Sequence, residues 1–466
     1  MAGHATTTTA GDERLVLGDE ARPLITIGRN LGVIGIVGAA ALGMAGWFQG
    51  FLFTYLAAYA FFLSIVLGAM FFVLTQHLTS AGWSVGVRRI AESLMMLMPV
   101  MAVLAIPIVV TVVFQSGKLY PWAQPIADQK MYDLVKAGKT EEAIKLEEAA
   151  GKNQEAVQTP SATEFEKGEQ GAHHRGLDAI TLQKRITGLH WLNPLFFIIR
   201  VIAYFAIWIY IARYYYDLSL RQDTTGDFNL TRSMQKWAGF WTVVLGLTLT
   251  GAAGDLLMSL DPHWFSTMWG VYYFAGSALA IFATLIIIVA LLQAFGYLRN
   301  SINVEHYHDL GKYLFGFTFF WGYIAFSQYM LLWYANIPEE IGWFSRHGAT
   351  TVQGNTSGWS YVILAILFGQ LLIPFAGLLS RHVKRASFVL VFWAVWQLFF
   401  HLIDTYWIVM PEYPGKYNLL TFASSLCAYV GIGGVLLAVL VRGLVGQNLR
   451  PVADPRLPES LAFHNI

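Results

Sequence analysis

Apolar residues run along this chain in long blocks, not in strict alternation or single amphipathic stripes. The blocks cover about residues 29–48, 51–77, 93–115, 193–214, 236–259, 267–293, 312–334, 358–379, 387–409 and 418–441. A helix rises ~1.5 Å per residue, so ~20 apolar residues cross a ~30 Å hydrocarbon core, and every block is long enough. Backbone groups in lipid must be satisfied within the chain, so the blocks predict an all-α bundle of ten transmembrane helices. The polar stretches between them set the organisation: an N-terminal tail 1–28, three spans within 29–115, a polar insertion 116–192, seven spans within 193–441 and a C-terminal tail 442–466.

Two spans carry the same interruption. Residues 237–264, WAGFWTVVLGLTLTGAAGDLLMSLDPHW, place Asp255 near the end of span 5, with Pro262 seven residues later. Span 9 holds Asp404, with Pro411 again seven residues on. A carboxylate inside hydrocarbon costs several kcal/mol unless something holds it there. Laying span 5 over span 9 superposes spans 2–5 on spans 6–9. The offset of four is even, so both halves keep one orientation, as in parallel membrane repeats. The pattern thus predicts two four-helix bundles, with spans 1 and 10 peripheral.

Composition fits this class. Of the 466 residues, 56% are hydrophobic and 13% charged, against roughly 25% charged in soluble domains. A net charge of +1 gives no basic field for nucleic acid. Lys and Arg gather on one set of segments: the N-terminus, Arg88 and Arg89, Arg213 to Lys236, Arg299 and Lys312, Arg381 to Arg385, and the C-terminal Arg442, Arg450 and Arg456. The opposite short loops hold Arg346 and Lys416, which predicts cytoplasmic N- and C-termini. The first 24 residues lack the apolar core of a signal peptide. Within the insertion, 127–151 has helix-forming residues with charges at i,i+4 spacing, and Lys152 to Gly176 reads as a flexible polar arm on the outer face.

Helix rise places the polar residues of the spans in depth. Asp255 falls roughly 6–8 Å, Asp404 about 8 Å, Arg200 about 10 Å and His401 about 12 Å below the outer ends of their spans. Gln397, His401 and Asp404 share one helix face at i, i+4 and i+7, and Gln328 in span 7 lies at a comparable depth. Such a set can conduct protons or line a quinone cavity if burial and Arg200 tune it. It can equally be an ion-pair network that fixes packing. A second group at the inner side, His77, Arg88, Arg89 and Glu92, reads either as interfacial capping or as the inner mouth of a proton path. His306 and His308 lie in the next comparable loop.

Other chemistry finds no support. The single cysteine, Cys427, excludes an internal disulfide, a CxxCH haem attachment and an iron–sulfur cluster ligated by this chain alone. His77 and His401 sit at opposite depths and cannot form a bis-histidine haem site. No catalytic residue or metal site is assigned. Glycines in the spans, such as Gly251, Gly254, Gly431, Gly433 and Gly434, read as close-packing positions, which argues against the broken helices of transporters.

Several stretches resemble the membrane subunits of the polysulfide reductase (NrfD-like) family, and more closely the F-type membrane subunits of bacterial alternative complex III. They are QHLTSAGWSVGVRRIAE (76–92), LYPWA (119–123), WLNPLFFIIRVIAYFAIW (191–208), DLLMSLDPHWFSTMWGVYYFAG (255–276) and FSQYMLLWYANIPEE (326–340). The resemblance covers nearly all of the chain, although the stretch around 127–185 is longer than the family's. It implies a multi-pass subunit of the bacterial inner membrane, within a respiratory quinol:cytochrome c or quinol:oxidase oxidoreductase. The implied partners are a sister NrfD-like quinol-oxidising subunit, an iron–sulfur protein, c-type cytochromes and a terminal oxidase. Iron–sulfur clusters and haems would then belong to the partners. This chain would carry no redox cofactor and would supply a transmembrane proton path. The alternatives are a quinol-binding subunit proper, with quinone as ligand, and a structural scaffold.

Overall fold

The computed structural model describes residues 13–46, 48–125, 129–146, 179–186, 191–349, 358–415 and 417–464. Among them, nine helices are long and apolar enough to cross a membrane, and the only β pairing consists of isolated bridges. The chain is an all-α polytopic membrane protein. The long helices are α1 (Arg22–Gly46), α2 (Phe48–Leu78), α3 (Val85–Val113), α4 (Pro194–Thr225), α5 (Phe228–Leu256), α6 (Trp269–Ala294), α7 (Val304–Ala335), α8 (Trp359–Leu378), α9 (Ser387–Val409) and α10 (Leu419–Leu444). The nine leave out α7, which has ample length at 32 residues; its Tyr, Trp, Gly, Ser and Gln dilute the apolar run.

Helix ends depart from the apolar blocks where polar residues find partners. α3 starts at Val85, eight residues before the expected 93, because the charges of its first turns are internally paired. α7 reaches back to Val304, so His306 belongs to a helix and not to a loop. Asn303 caps it by accepting from the backbone N–H groups of Glu305 and His306, and the His306 side chain completes a capping box. α4 runs on to Thr225 and stops at Gly226, whose φ of 64° suits glycine. α3 is broken at Met96–Leu97 and at Ala105, just ahead of Pro99 and Pro107, which have no N–H to continue a helical ladder.

α2 is apolar on all sides and lies at the centre, packed against α1, α3, α5, α6, α9 and α10. α3, α4 and α5 gather on one side of it. α6 packs beside it and against α7 and α9, and α8 packs in turn on α7 and α9. The α2–α6 approach is close: a Cβ on Gly68 would lie 2.2 Å from the Ser277 carbonyl oxygen. α1 packs most extensively on α10 through a glycine seam, where Gly28, Gly32 and Gly35 meet Gly431 and Gly434. A Cβ on Gly35 would stand 2.4 Å from backbone atoms of Gly431, so the two backbones touch.

Both Asp-to-Pro stretches end alike: α5 gives way to a 3₁₀ turn at Met258–Leu260 and α9 to one at Met410–Glu412. Tyr120 and Trp122 of the LYPWA stretch donate to the carbonyls of Leu256 (2.9 Å) and Ser259 (3.0 Å), and Trp269 donates to Ala253 (3.1 Å). The last turn of α5, which carries Asp255, is thereby fixed. In the insertion, helices Gln129–Lys136 and Ala179–Ile186 pack on each other around Met131, Val135, Ala143 and Leu182. Arg185 donates to the carbonyls of Trp122 and Gln124. The arm Lys152–Gly176 lies outside the described residues.

Candidate functional site

The polar residues of the spans separate into three groups. In the first, Asn193 caps α4 by accepting from the N–H groups of Leu195 and Phe196, and two turns on α4 delivers Arg200. Its guanidinium donates to both oxygens of Asp255, each at 2.8 Å, and to the Trp191 carbonyl at 2.7 Å. Trp191 and Phe196 cover the guanidinium, with ring centroids 4.1 and 4.4 Å from its carbon. The Tyr204 hydroxyl, one turn along α4, adds a third bond to Asp255 at 2.9 Å, in a space left open by Gly251. Asp255 is fully buried, so its charge is met by a bidentate cation and a hydroxyl and by no solvent. This is a clamp between α4 and α5, in which Nη1 of Arg200 is left without a partner among the described residues.

The second group is on the other side of α2. Asp404 accepts from the Tyr272 hydroxyl of α6, and its other oxygen lies 3.8 Å from Nδ1 of His401. His401 Nε2 meets the Ser64 hydroxyl of α2 at 2.8 Å. Its ring occupies space kept by Gly276, where a Cβ would stand 2.7 Å from Cε1. His401 Nδ1 has no hydrogen-bond partner among the described residues. One turn earlier, Gln397 donates to the Thr318 hydroxyl (2.7 Å) and to the Gln370 carbonyl (3.2 Å), while its own Oε1 is unpartnered. Gln328 of α7 is buried with an unpartnered Oε1. The two Asp groups therefore share an architecture and differ in partners. Among the described residues, no hydrogen bond or ion pair joins Arg200 and Asp255 to His401 and Asp404.

The third group is at the other end of the helices. Glu92, fully buried, accepts from Arg88 and Arg89 at 3.0 Å each. Arg89 also reaches Asp223 (2.8 Å) and Ser219 (3.0 Å) on α4, and Arg88 pairs with Asp454 of the C-terminal segment. These charges tie α3, α4 and the chain end together, a packing role instead of the interfacial caps expected. His77 is buried beside Tyr215, ring centroids 5.2 Å apart, with Nε2 unpartnered. It shares no hydrogen bond with Arg89 or Glu92 among the described residues.

Sequence reasoning passed over several members of these groups. Tyr204 and Tyr272 look like ordinary span aromatics until their hydroxyls are placed. Gln370 is a lone amide in an apolar block, without a spacing partner. A fourth cluster joins the two Asp-to-Pro turns: Arg346 bridges Asp261 and Glu412, beside His347. Burial opposes the Arg346 charge, but Glu412 and Asp261 hold the guanidinium above its ordinary range. His347 is enclosed, stacked on Trp343 at 3.6 Å, and its Nδ1–H donates to the Trp343 carbonyl at 2.8 Å. Burial pushes its imidazole down to about 3.

Among known proteins, no family model matches this chain and no curated protein shows significant similarity to it. The function is therefore argued from the geometry and from the sequence resemblance alone. Among the described residues, no group of three or more His, Cys, Asp or Glu side chains is arranged to hold a metal ion.

Proposed function

We propose that this chain is a cofactor-free membrane subunit of a bacterial respiratory quinol oxidoreductase complex, and that its α6–α9 half carries a transmembrane proton path. In this reading α7 is the tenth span, α2–α5 and α6–α9 are the two bundles, and both termini face the cytoplasm. The partners are a sister quinol-oxidising subunit, an iron–sulfur protein, c-type cytochromes and a terminal oxidase. The reading rests on the resemblance and on one structural observation. On α9, buried polar atoms with no partner among the described residues lie on His401 and Gln397, on the helix face that carries Asp404, and α7 holds another on Gln328. An unsatisfied polar atom in hydrocarbon costs several kcal/mol, so such a set persists where water or a migrating proton completes it.

The hydrogen-bond geometry supports a division of labour between the halves. Asp255 already has its hydrogen bonds filled by Arg200 and Tyr204, which suits a clamp. His401 has an open Nδ1 near Asp404, which suits a relay. The test is the purified complex in proteoliposomes. Asp404→Asn is expected to lower proton release per electron while the complex still assembles and oxidises quinol. Normal proton release in an assembled Asp404→Asn complex overturns the reading.

A further inference from the structure

Midway along α8 the helix widens into a π segment, Leu367–Leu372. Such single-turn widenings free backbone groups from the regular ladder. Here two side chains of α9 take up carbonyls of that turn: Trp396 donates to Gly369 (2.7 Å) and Gln397 to Gln370 (3.2 Å). The widened turn also carries the Gln370 side chain inward. It is completely buried, and neither its Oε1 nor its Nε2 has a partner among the described residues. The Oε1 of Gln397, equally buried and unpartnered, belongs to the residue that bonds the Gln370 carbonyl. Helix rise puts Gln370 about 16 Å from the start of α8 and Gln397 about 15 Å from the start of α9. Both therefore sit near mid-depth, where water from either face is furthest away.

A primary amide has two donors and an acceptor to satisfy. The neighbouring groups are uncharged, so the ligand chemistry is neutral and needs both donors and acceptors. The walls are tight: a Cβ on Gly369 would lie 1.9 Å from the Phe400 ring, and one on Gly322 would lie 2.3 Å from Leu371. Walls this close exclude a ring, so only a molecule the size of water suits the unpartnered amide atoms. We propose that the π segment of α8 is a buried water site, in which Gln370, Gln397 and Thr318 hold a water cluster at mid-depth. The cluster continues the polar line of Asp404 and His401 toward the opposite face, since Gln397 lies one helical turn from His401. Its role as a relay rests on the proton-path reading; its existence does not.

Hydroxyl-radical footprinting of the full-length protein in nanodiscs, with radicals made from water, tests the site without turnover. Leu314, whose carbonyl accepts from Thr318, is expected to label at least tenfold faster than Leu279, an equally buried leucine of α6. Gln370→Leu is expected to abolish that excess and to lower the melting temperature, because it displaces hydrogen-bonded water. A dry amide would give the reverse: labelling as slow as Leu279, and a Gln370→Leu protein that melts higher than wild type. Either result overturns the site, and wild-type labelling decides alone if the variant does not fold. A labelled site together with normal proton release in Asp404→Asn would leave the water in place and overturn only its role.

Discussion

Removing one member of the Arg200–Asp255 clamp should cost far more than removing both. In Asp255→Asn the guanidinium keeps its Trp191 carbonyl and its two rings but loses its only carboxylate, and the new amide can turn an N–H toward another donor. Arg200→Met leaves a fully buried carboxylate without its cation, held only by hydrogen bonds from the Tyr204 hydroxyl and the Trp191 side chain among the described residues. Uncompensated buried charges of this kind cost about 3–5 kcal/mol. The double variant Arg200→Met/Asp255→Leu replaces the pair with apolar groups of similar size, for which roughly neutral stability is the precedent. The cycle should therefore show a coupling of several kcal/mol, well above the 0.5–3 kcal/mol usual for contacting residues. Equilibrium unfolding in mixed micelles, followed by tryptophan fluorescence, measures all four proteins. Single variants within ~0.5 kcal/mol of wild type, or a double variant as unstable as the sum of the singles, would refute the clamp.

Three further outcomes follow from the packing. A Cβ on Gly38 would lie 3.7 Å from Cβ of Cys427, within the usual ~3.5–4.5 Å of a disulfide, so Gly38→Cys should cross-link α1 to α10 under mild oxidation, read as a reducible joining of proteolytic fragments from the two chain ends. His347 stays neutral when folded, whereas an exposed imidazole protonates near 6.5; between that value and about 3 the unfolded chain binds the extra proton, so stability should fall on acidification by up to about 1.4 kcal/mol per pH unit, and His347→Gln should flatten this slope in thermal melts. Asp454→Asn removes the Arg88 partner at the chain end and should expose Arg456 to trypsin at least several-fold faster, as mass spectrometry of a timed digest would record.

How far the sequence reaches is clear from individual residues. Block length alone locates the long helices, because a membrane-spanning helix needs apolar side chains whatever packs on it. The Asp255–Pro262 and Asp404–Pro411 match leads directly to two helices that end in the same 3₁₀ turn. Depth arithmetic sets Arg200, Asp255, His401 and Asp404 in one band, which the fold resolves into an Arg200–Asp255 pair and a His401–Asp404 pair. It cannot separate the two pairs, because depth says nothing of which side of α2 a residue occupies. Helix starts at Val85 and Val304 escape a hydropathy reading, since one depends on charges paired within its first turns and the other on the Asn303 cap. Gln370 escapes because a π turn leaves no signature in the spacing of apolar residues.

The glycine seam between α1 and α10 has a consequence for the making of the protein. The surface that α1 is shaped to meet belongs to α10, synthesised long after it, and the bridges Val16–Asn448 and Leu17–Val445 join the segments beside the same two helices. During membrane insertion α1 must therefore wait in lipid with its small-residue face open until α10 emerges. α1 is therefore seated only after the helices between it and α10 have been made, and closure of that seam clasps them from both sides.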